Sequence, residues 1–154
     1  MSKRLFGIST WLGMFILFSL ILSPSVIAQV QDVTPPSILE FTFTPIPIDV
    51  SAGSQVVTFT LRITDDAAGF DLARFYVWSP SEKQLQSANV YSNDRISGDG
   101  LDGTYRVCLT FTEFSEAGTW FVSSVFLKDA VGNSRIYLQA DLINMGFSTE
   151  LEVY

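Results

Sequence analysis

Apolar side chains recur at every second position along most of this chain, and this alternation restricts what the chain can fold into. In one segment, the apolar residues from Val57 to Ile63 alternate with threonine and arginine. The other segments with the same period are 39–43, 73–77, 105–111 and 120–127. Because successive side chains of a strand point to opposite sides, a period of two predicts β-strands with one buried face.

Short segments rich in glycine, proline, serine and aspartate separate these strands. The clearest of them are 51–54, 79–82, 98–103 and 130–133. Such residues favour turns, because glycine adopts positive φ and short polar side chains hydrogen-bond the nearby backbone. About seven to eight strands at this spacing predict an all-β fold, an immunoglobulin-like antiparallel β-sandwich. A short C-terminal helical turn capped by Gly146 and a last strand at 150–153 are expected to complete it.

Several turn segments resemble the landmarks of bacterial immunoglobulin-like (fibronectin type III-like) β-sandwich domains of exported proteins. They are Thr34-Pro35-Pro36, Thr64-Asp65-Asp66-Ala67-Ala68-Gly69, Ser97-Gly98-Asp99-Gly100-Leu101-Asp102-Gly103-Thr104-Tyr105, Ala117-Gly118-Thr119-Trp120 and Asp129-Ala130-Val131-Gly132-Asn133. The resemblance covers most of residues 34–138 and implies a sandwich of the kind appended to exported hydrolases, adhesins and surface repeat proteins. The single cysteine departs from disulfide-bridged antibody domains, and the final helical turn and strand exceed the minimal pattern.

Residues 1–28 have the pattern of a secretory signal peptide. A basic start is followed by an apolar run at 11–22 and by small residues ending at Ala28. The run is shorter than the roughly 20 residues that a membrane-spanning helix needs, so we expect a cleaved signal rather than an anchor. The expected organisation is then a linker at 29–36 and one β-sandwich domain at 37–154, in a secreted, periplasmic or cell-surface protein.

The residue types present exclude several kinds of chemistry. The sequence has no histidine, and Cys108 is its one cysteine. Histidine-based catalytic triads, Cys-His pairs and histidine-ligated zinc are therefore excluded, and no glycine-rich phosphate loop precedes a helix. We predict that the protein is not an enzyme, and a small hydrolase acting through two carboxylates is the remote alternative.

The charge of the chain restricts its partners. Sixteen acidic residues against nine basic ones give a net charge of −7. An acidic surface repels nucleic acid phosphates and anionic lipids. We therefore expect a protein or a polysaccharide at the cell exterior as partner, and neither nucleic acid nor a membrane.

Aspartates are concentrated in three loops, 65–71, 92–103 and 129–134, which antiparallel connectivity places at one end of the sandwich. The candidate ligands of a metal ion there are Asp65, Asp66, Asp94, Asp99, Asp102, Asp129 and Asn133. Ca²⁺ takes about six to eight oxygen ligands from such loops, and a cation would relieve the repulsion between carboxylates.

Two ligand sets are favoured for this ion. One combines Asp94, Asp99 and Asp102, and the other combines Asp65, Asp66 and Asp129. The alternative is that these residues only shape turns. The leading functional prediction is an exported, non-catalytic interaction or spacer module, stiffened by Ca²⁺ at these loops.

Aromatic residues outside the core would support a second function. Tyr76 and Trp78 lie on the face of their strand opposite to Phe75 and Val77. Exposed aromatic rings can stack on sugars, so a carbohydrate-binding module with Trp78 and Tyr76 as stacking residues is the alternative. The competing explanation is that both rings pack at the core or at sheet edges.

Overall fold

The computed structural model describes residues 31–154, and the predicted signal peptide at 1–28 lies outside the described residues. The described part contains nine strands and one short helix. They are β1 (Ser37–Thr44), β2 (Gln55–Thr64), β3 (Phe70–Trp78), β4 (Leu85–Tyr91), β5 (Arg95–Gly98), β6 (Asp102–Phe111), β7 (Gly118–Asp129), β8 (Ser134–Leu138), α1 (Gln139–Asn144) and β9 (Glu150–Val153). Between residues 31 and 154, no helix has the length and apolar character needed to cross a bilayer.

The strands form two antiparallel sheets, which confirms the predicted all-β sandwich. The first sheet has the order β1-β2-β6-β5, and the second has the order β4-β3-β7-β8. The last strand, β9, pairs with β7 at residues 118–121, while β8 pairs with β7 at residues 124–128. The predicted helical turn is α1, which ends next to Gly146 at φ 84°.

One strand was not predicted: β5 lies inside the segment that sequence analysis assigned to a long loop. All four of its residues are exposed, so it has no buried face that an alternating pattern could have shown. It folds back on β6 through a tight turn in which Gly98 pairs with Gly103. A Cβ at Gly98 would lie 2.0 Å from the Asp102 carbonyl oxygen, so only glycine fits this turn.

Aromatic side chains from both sheets fill the space between them. The ring of Phe59 lies 4.7 Å from that of Phe75 and 6.1 Å from that of Phe41, measured between centroids. Trp120 is 1% exposed, packs edge-on against Phe111 and donates from its indole nitrogen to a backbone carbonyl. Because a well-packed core of this kind deforms little, it holds the strand ends from which the loops start in fixed positions.

Three connecting loops meet at one end of the sandwich, as the strand directions predict, and the segment before β1, predicted as a linker, joins them there. The backbone N–H of Asp65 donates to the Leu101 carbonyl, and that of Phe70 donates to the Gly100 carbonyl. The backbone N–H of Ala130 donates to the Gly69 carbonyl in turn. We call this end the acidic pole, and it comprises residues 31–36, 65–69, 99–101 and 129–133.

Candidate metal centre

Asp129 and Asn133 build the β7–β8 loop. The Asp129 side chain is fully buried, and its Oδ1 accepts hydrogen bonds from the N–H groups of Val131, Gly132 and Asn133 at 2.6–2.9 Å. Its Oδ2 accepts from Asn133 Nδ2 at 2.6 Å. Burial by itself raises the pKa of the carboxyl, but the hydrogen bonds from Asn133 and its neighbours outweigh burial and hold the pKa below its ordinary value. Both oxygens are therefore used inside the loop.

Asp94 and Asp99 also shape turns. Asp99 Oδ1 accepts from the N–H groups of Leu101 and Asp102 at 2.8 and 3.0 Å, and these bonds lower the pKa of the Asp99 carboxyl. Asp94 Oδ2 accepts from the N–H of Tyr91 at 2.7 Å and closes the single helical turn before β5. For these two residues, the turn explanation accounts for the contacts in the structure.

Asp102 faces the outer surface of the first sheet, where it forms an ion pair with Arg62. Arg62 donates from Nε and Nη2 to the two Asp102 carboxylate oxygens at 2.9 and 2.8 Å. This pairing lowers the pKa of Asp102. Asp94, Asp99 and Asp102 are not among the described acidic side chains whose oxygens lie close enough to share an ion, so the structure does not bring them together as one ligand set.

Asp32, Asp65 and Asp66 do converge. Each offers a carboxylate oxygen, and these three oxygens all lie within 4.8 Å of one another. Asp65 and Asp66 belong to a predicted ligand set, whereas Asp129, the third member of that set, is replaced by Asp32. None of the three forms a salt bridge with any residue in the described part of the chain.

The carboxylate of Asp65 is only half satisfied. Its Oδ1 accepts from the N–H groups of Ala67 and Gly69 at 3.1 and 2.7 Å. Its Oδ2 is shielded from solvent and has no hydrogen-bond partner among residues 31–154. A buried carboxylate oxygen without a partner is costly, and a cation is the partner that would remove both this cost and the repulsion from neighbouring carboxylates.

Asp32 lies in the segment predicted to be a linker. It accepts hydrogen bonds from two loops of the acidic pole. Its Oδ2 accepts from the Ala68 N–H at 2.7 Å, and its backbone carbonyl accepts from Asn133 Nδ2 at 3.2 Å. The position of Asp32 could have been deduced: β1 runs antiparallel to β2, so the residues before β1 lie beside the loop that follows β2.

This arrangement can bind a hard cation. Three carboxylates provide part of the oxygen shell that Ca²⁺ requires, and backbone carbonyls or water complete such shells in loop sites. Oxygen-only ligands do not favour the soft transition metals that prefer thiolate or imidazole.

The two predicted stacking residues lie on the outer face of the second sheet. Trp78 pairs with Leu85 of β4 and with Phe121 of β7, and Tyr76 is two positions away on the same face. Both rings are partly exposed. The register therefore groups aromatic and apolar side chains on the outer face of this sheet.

Residues 31–150 match a family model described as a domain of unknown function (DUF7035). No curated protein matches the chain. Among solved structures, a β-glucosidase from Listeria innocua in complex with isofagomine aligns at 14% identity and a TM-score of 0.33. The same enzyme in complex with glucose aligns at 13% identity and a TM-score of 0.35. Each alignment covers 77% of this chain and 16% of the enzyme chain, and likeness at these TM-scores is too distant to support a fold or a function.

Proposed function

We propose that this chain, which belongs to the family described as a domain of unknown function (DUF7035), is an exported, non-catalytic immunoglobulin-like module that binds Ca²⁺ at its acidic pole. It would serve as an interaction or spacer module for a protein or a polysaccharide at the cell exterior. The observation that carries the proposal is the convergence of the Asp32, Asp65 and Asp66 carboxylates. It is supported by Asp65 Oδ2, which is shielded from solvent and lacks a hydrogen-bond partner in the described part of the chain.

The chemistry of the site favours Ca²⁺ over other ions. All three side chains supply oxygen, and they come from loops whose backbone can adapt to an irregular shell. Mg²⁺ demands a smaller, near-octahedral arrangement and gives up its water reluctantly. An extracellular address fits a weak site, because extracellular calcium modules work with dissociation constants of about 0.1–1 mM.

The same contacts favour a non-catalytic role. Four of the predicted aspartates are held in turns or in an ion pair. The free oxygen of Asp65 is shielded from solvent and could not reach a substrate as an acid or a nucleophile. A rigid sandwich whose loops are fixed by an ion is better suited to presenting a surface or to holding a distance.

Thermal unfolding with and without calcium tests this proposal. We expect millimolar Ca²⁺ to raise the melting temperature relative to EGTA, because a ligand that binds only the folded state stabilises it. Asp66→Asn should abolish the increase. Asp49→Asn is the matched control, since Asp49 accepts from the Ser51 N–H at 2.9 Å in a similar turn at the opposite end of the sandwich. An unchanged melting temperature in the wild-type protein would contradict the calcium site.

The outer face of the second sheet supports carbohydrate binding as a second candidate function. Trp78 and Phe121 are neighbours across the strands, and Tyr76 lies on the same face, which is the kind of flat aromatic surface on which sugar rings can stack. Binding to insoluble polysaccharides would test it: Trp78→Ala should reduce retention. Phe114→Ala is the control, because Phe114 is 79% exposed in the β6–β7 loop. Retention that survives Trp78→Ala would count against this candidate.

A further inference from the structure

We infer that Ca²⁺ bound by Asp32, Asp65 and Asp66 also fastens the segment before β1 to the acidic pole. The ion would then set the direction in which residues 31–36 approach the sandwich. This inference rests on the calcium site proposed above and adds a conformational role to it.

The ligands come from two separate parts of the chain. Asp65 and Asp66 belong to the β2–β3 loop, which the sheet holds in place through the Asp65 N–H bond to the Leu101 carbonyl. Asp32 precedes the first strand by five positions. An ion that binds all three therefore crosslinks the sandwich to a segment outside it.

Without an ion, few contacts hold residues 31–34, whereas Pro36 at the end of the segment is buried. Asp32 receives one hydrogen bond from the Ala68 N–H and one from Asn133 Nδ2, while Val33 is 73% exposed. The net contribution of such a bond is similar to the entropy lost when one residue is fixed. Repulsion from Asp65 and Asp66 acts against the attachment, so residues 31–34 are held only marginally.

A cation reverses the sign of this interaction. The Asp32 oxygens each accept one N–H, from Thr34 and from Ala68. A carboxylate oxygen can accept more than one partner, so both can still bind an ion. The carboxylate of Asp65, with its shielded and unpartnered oxygen, provides a second ligand that no donor occupies in the described part of the chain. Attraction to the shared ion then replaces repulsion among the three carboxylates.

Hydrogen exchange measured by mass spectrometry in the full-length secreted protein tests directly whether Ca²⁺ attaches residues 31–36 to the acidic pole. The reporters are the backbone amides of Thr34 and Ala68, which donate to the two Asp32 oxygens. We expect Ca²⁺ to slow exchange in the peptides that contain them by about tenfold relative to EGTA. A peptide covering residues 112–117, at the opposite end, should exchange equally in both buffers.

Variants distinguish the attachment of residues 31–36 from ion binding itself. Asp32→Asn and Asp66→Asn should each abolish the calcium-dependent slowing at Thr34, while Asp49→Asn should leave it intact. If Ca²⁺ raises the melting temperature but leaves exchange at Thr34 unchanged, the inferred attachment of residues 31–36 is wrong and the proposed ion site is retained. If neither quantity responds to Ca²⁺, both are wrong.

Discussion

Two aspartates of the acidic pole, Asp129 and Asp65, have the same turn geometry and different surroundings. Each stands at the start of a loop, and each uses Oδ1 to accept N–H groups two and four positions later. The difference lies at the second oxygen. Asp129 Oδ2 receives the side-chain amide of Asn133, whereas Asp65 has Gly69 at the equivalent position, and its Oδ2 has no partner among residues 31–154.

This comparison shows that an aspartate can order a turn with one carboxylate oxygen and leave the other without a partner. One carboxylate oxygen is enough to order the loop backbone. The second oxygen then distinguishes the two residues. A donor from the same loop satisfies Asp129 Oδ2, whereas Asp65 Oδ2 lacks a partner among residues 31–154 and the Asp65 carboxylate lies near two others, which makes Asp65 a candidate ligand.

Removal of the satisfied carboxylate should give the largest loss of stability. Asp129→Ala leaves three partly buried N–H donors and the Asn133 amide without their acceptor, and we expect the free energy of unfolding to fall by about 3 kcal/mol. The loss should be equal in Ca²⁺ and in EGTA, as measured by urea unfolding. Asn133→Ala, which removes only the partner of Oδ2, should cost about 1 kcal/mol. A loss of stability seen only in Ca²⁺ would show that Asp129 is a ligand, and Asp129 and Asp65 would then not differ in role.

The Asp65→Asn variant should be at least as stable as the wild type in EGTA and less stable than the wild type in Ca²⁺. The side-chain amide oxygen of this variant can still accept the N–H groups of Ala67 and Gly69, and its amide nitrogen can donate to a neighbouring carboxylate. In EGTA the variant should therefore equal the wild type or exceed it by up to about 1 kcal/mol. With Ca²⁺ at about 100 times its dissociation constant, the wild type should gain about 2.7 kcal/mol that the variant lacks. Equal calcium responses of the two proteins in urea unfolding would remove Asp65 from the site.

Acid should weaken the contribution of Asp129. Its pKa in the folded state lies below the ordinary value of 3.8, so near that pH the folded protein binds fewer protons than the unfolded chain. Stability therefore rises with pH there. The difference between the wild type and Asp129→Ala should be complete above about pH 5 and should shrink as the pH falls through the folded-state pKa. A difference that grows in acid, in urea unfolding at a series of pH values, would mean that burial rather than hydrogen bonding dominates at Asp129.

Sequence patterns predicted the strands with a buried face and missed the one without. From Val57 to Ile63, alternation reports burial directly, since every second side chain packs between the sheets. The four exposed residues of β5 carry no such signal, and their pairing with β6 depends on the turn at Gly98. The antiparallel order of long strands was also enough to bring the three aspartate-bearing loops to one end.

The membership of the candidate site could not be predicted in the same way. Which carboxylates converge depends on loop conformation, and a shift of a few ångströms decides whether an aspartate meets a donor, an arginine or another aspartate. Asp102 is a predicted ligand because its loop lies at the aspartate-rich end of the sandwich, but the strand places its side chain beside Arg62. Asp32 falls in the predicted linker because residues 29–36 are polar and end in Pro35-Pro36, a composition that carries no sign of contacts with the loops.

Of the substitutions considered, neutralising Asp102 should have the smallest effect on stability, because its ion pair with Arg62 is exposed to solvent. Asp102→Asn breaks the two-point pairing with Arg62 on the outer face of the first sheet. The Asp102 side chain is 50% exposed, so solvent screens the pair, and we expect the melting temperature to fall by no more than about 2 °C, and by less in high salt. The response of the melting temperature to Ca²⁺ should be the same as in the wild type. A reduced calcium response would place Asp102 among the ligands and would shift the proposed site from the β2–β3 loop towards the β5–β6 turn.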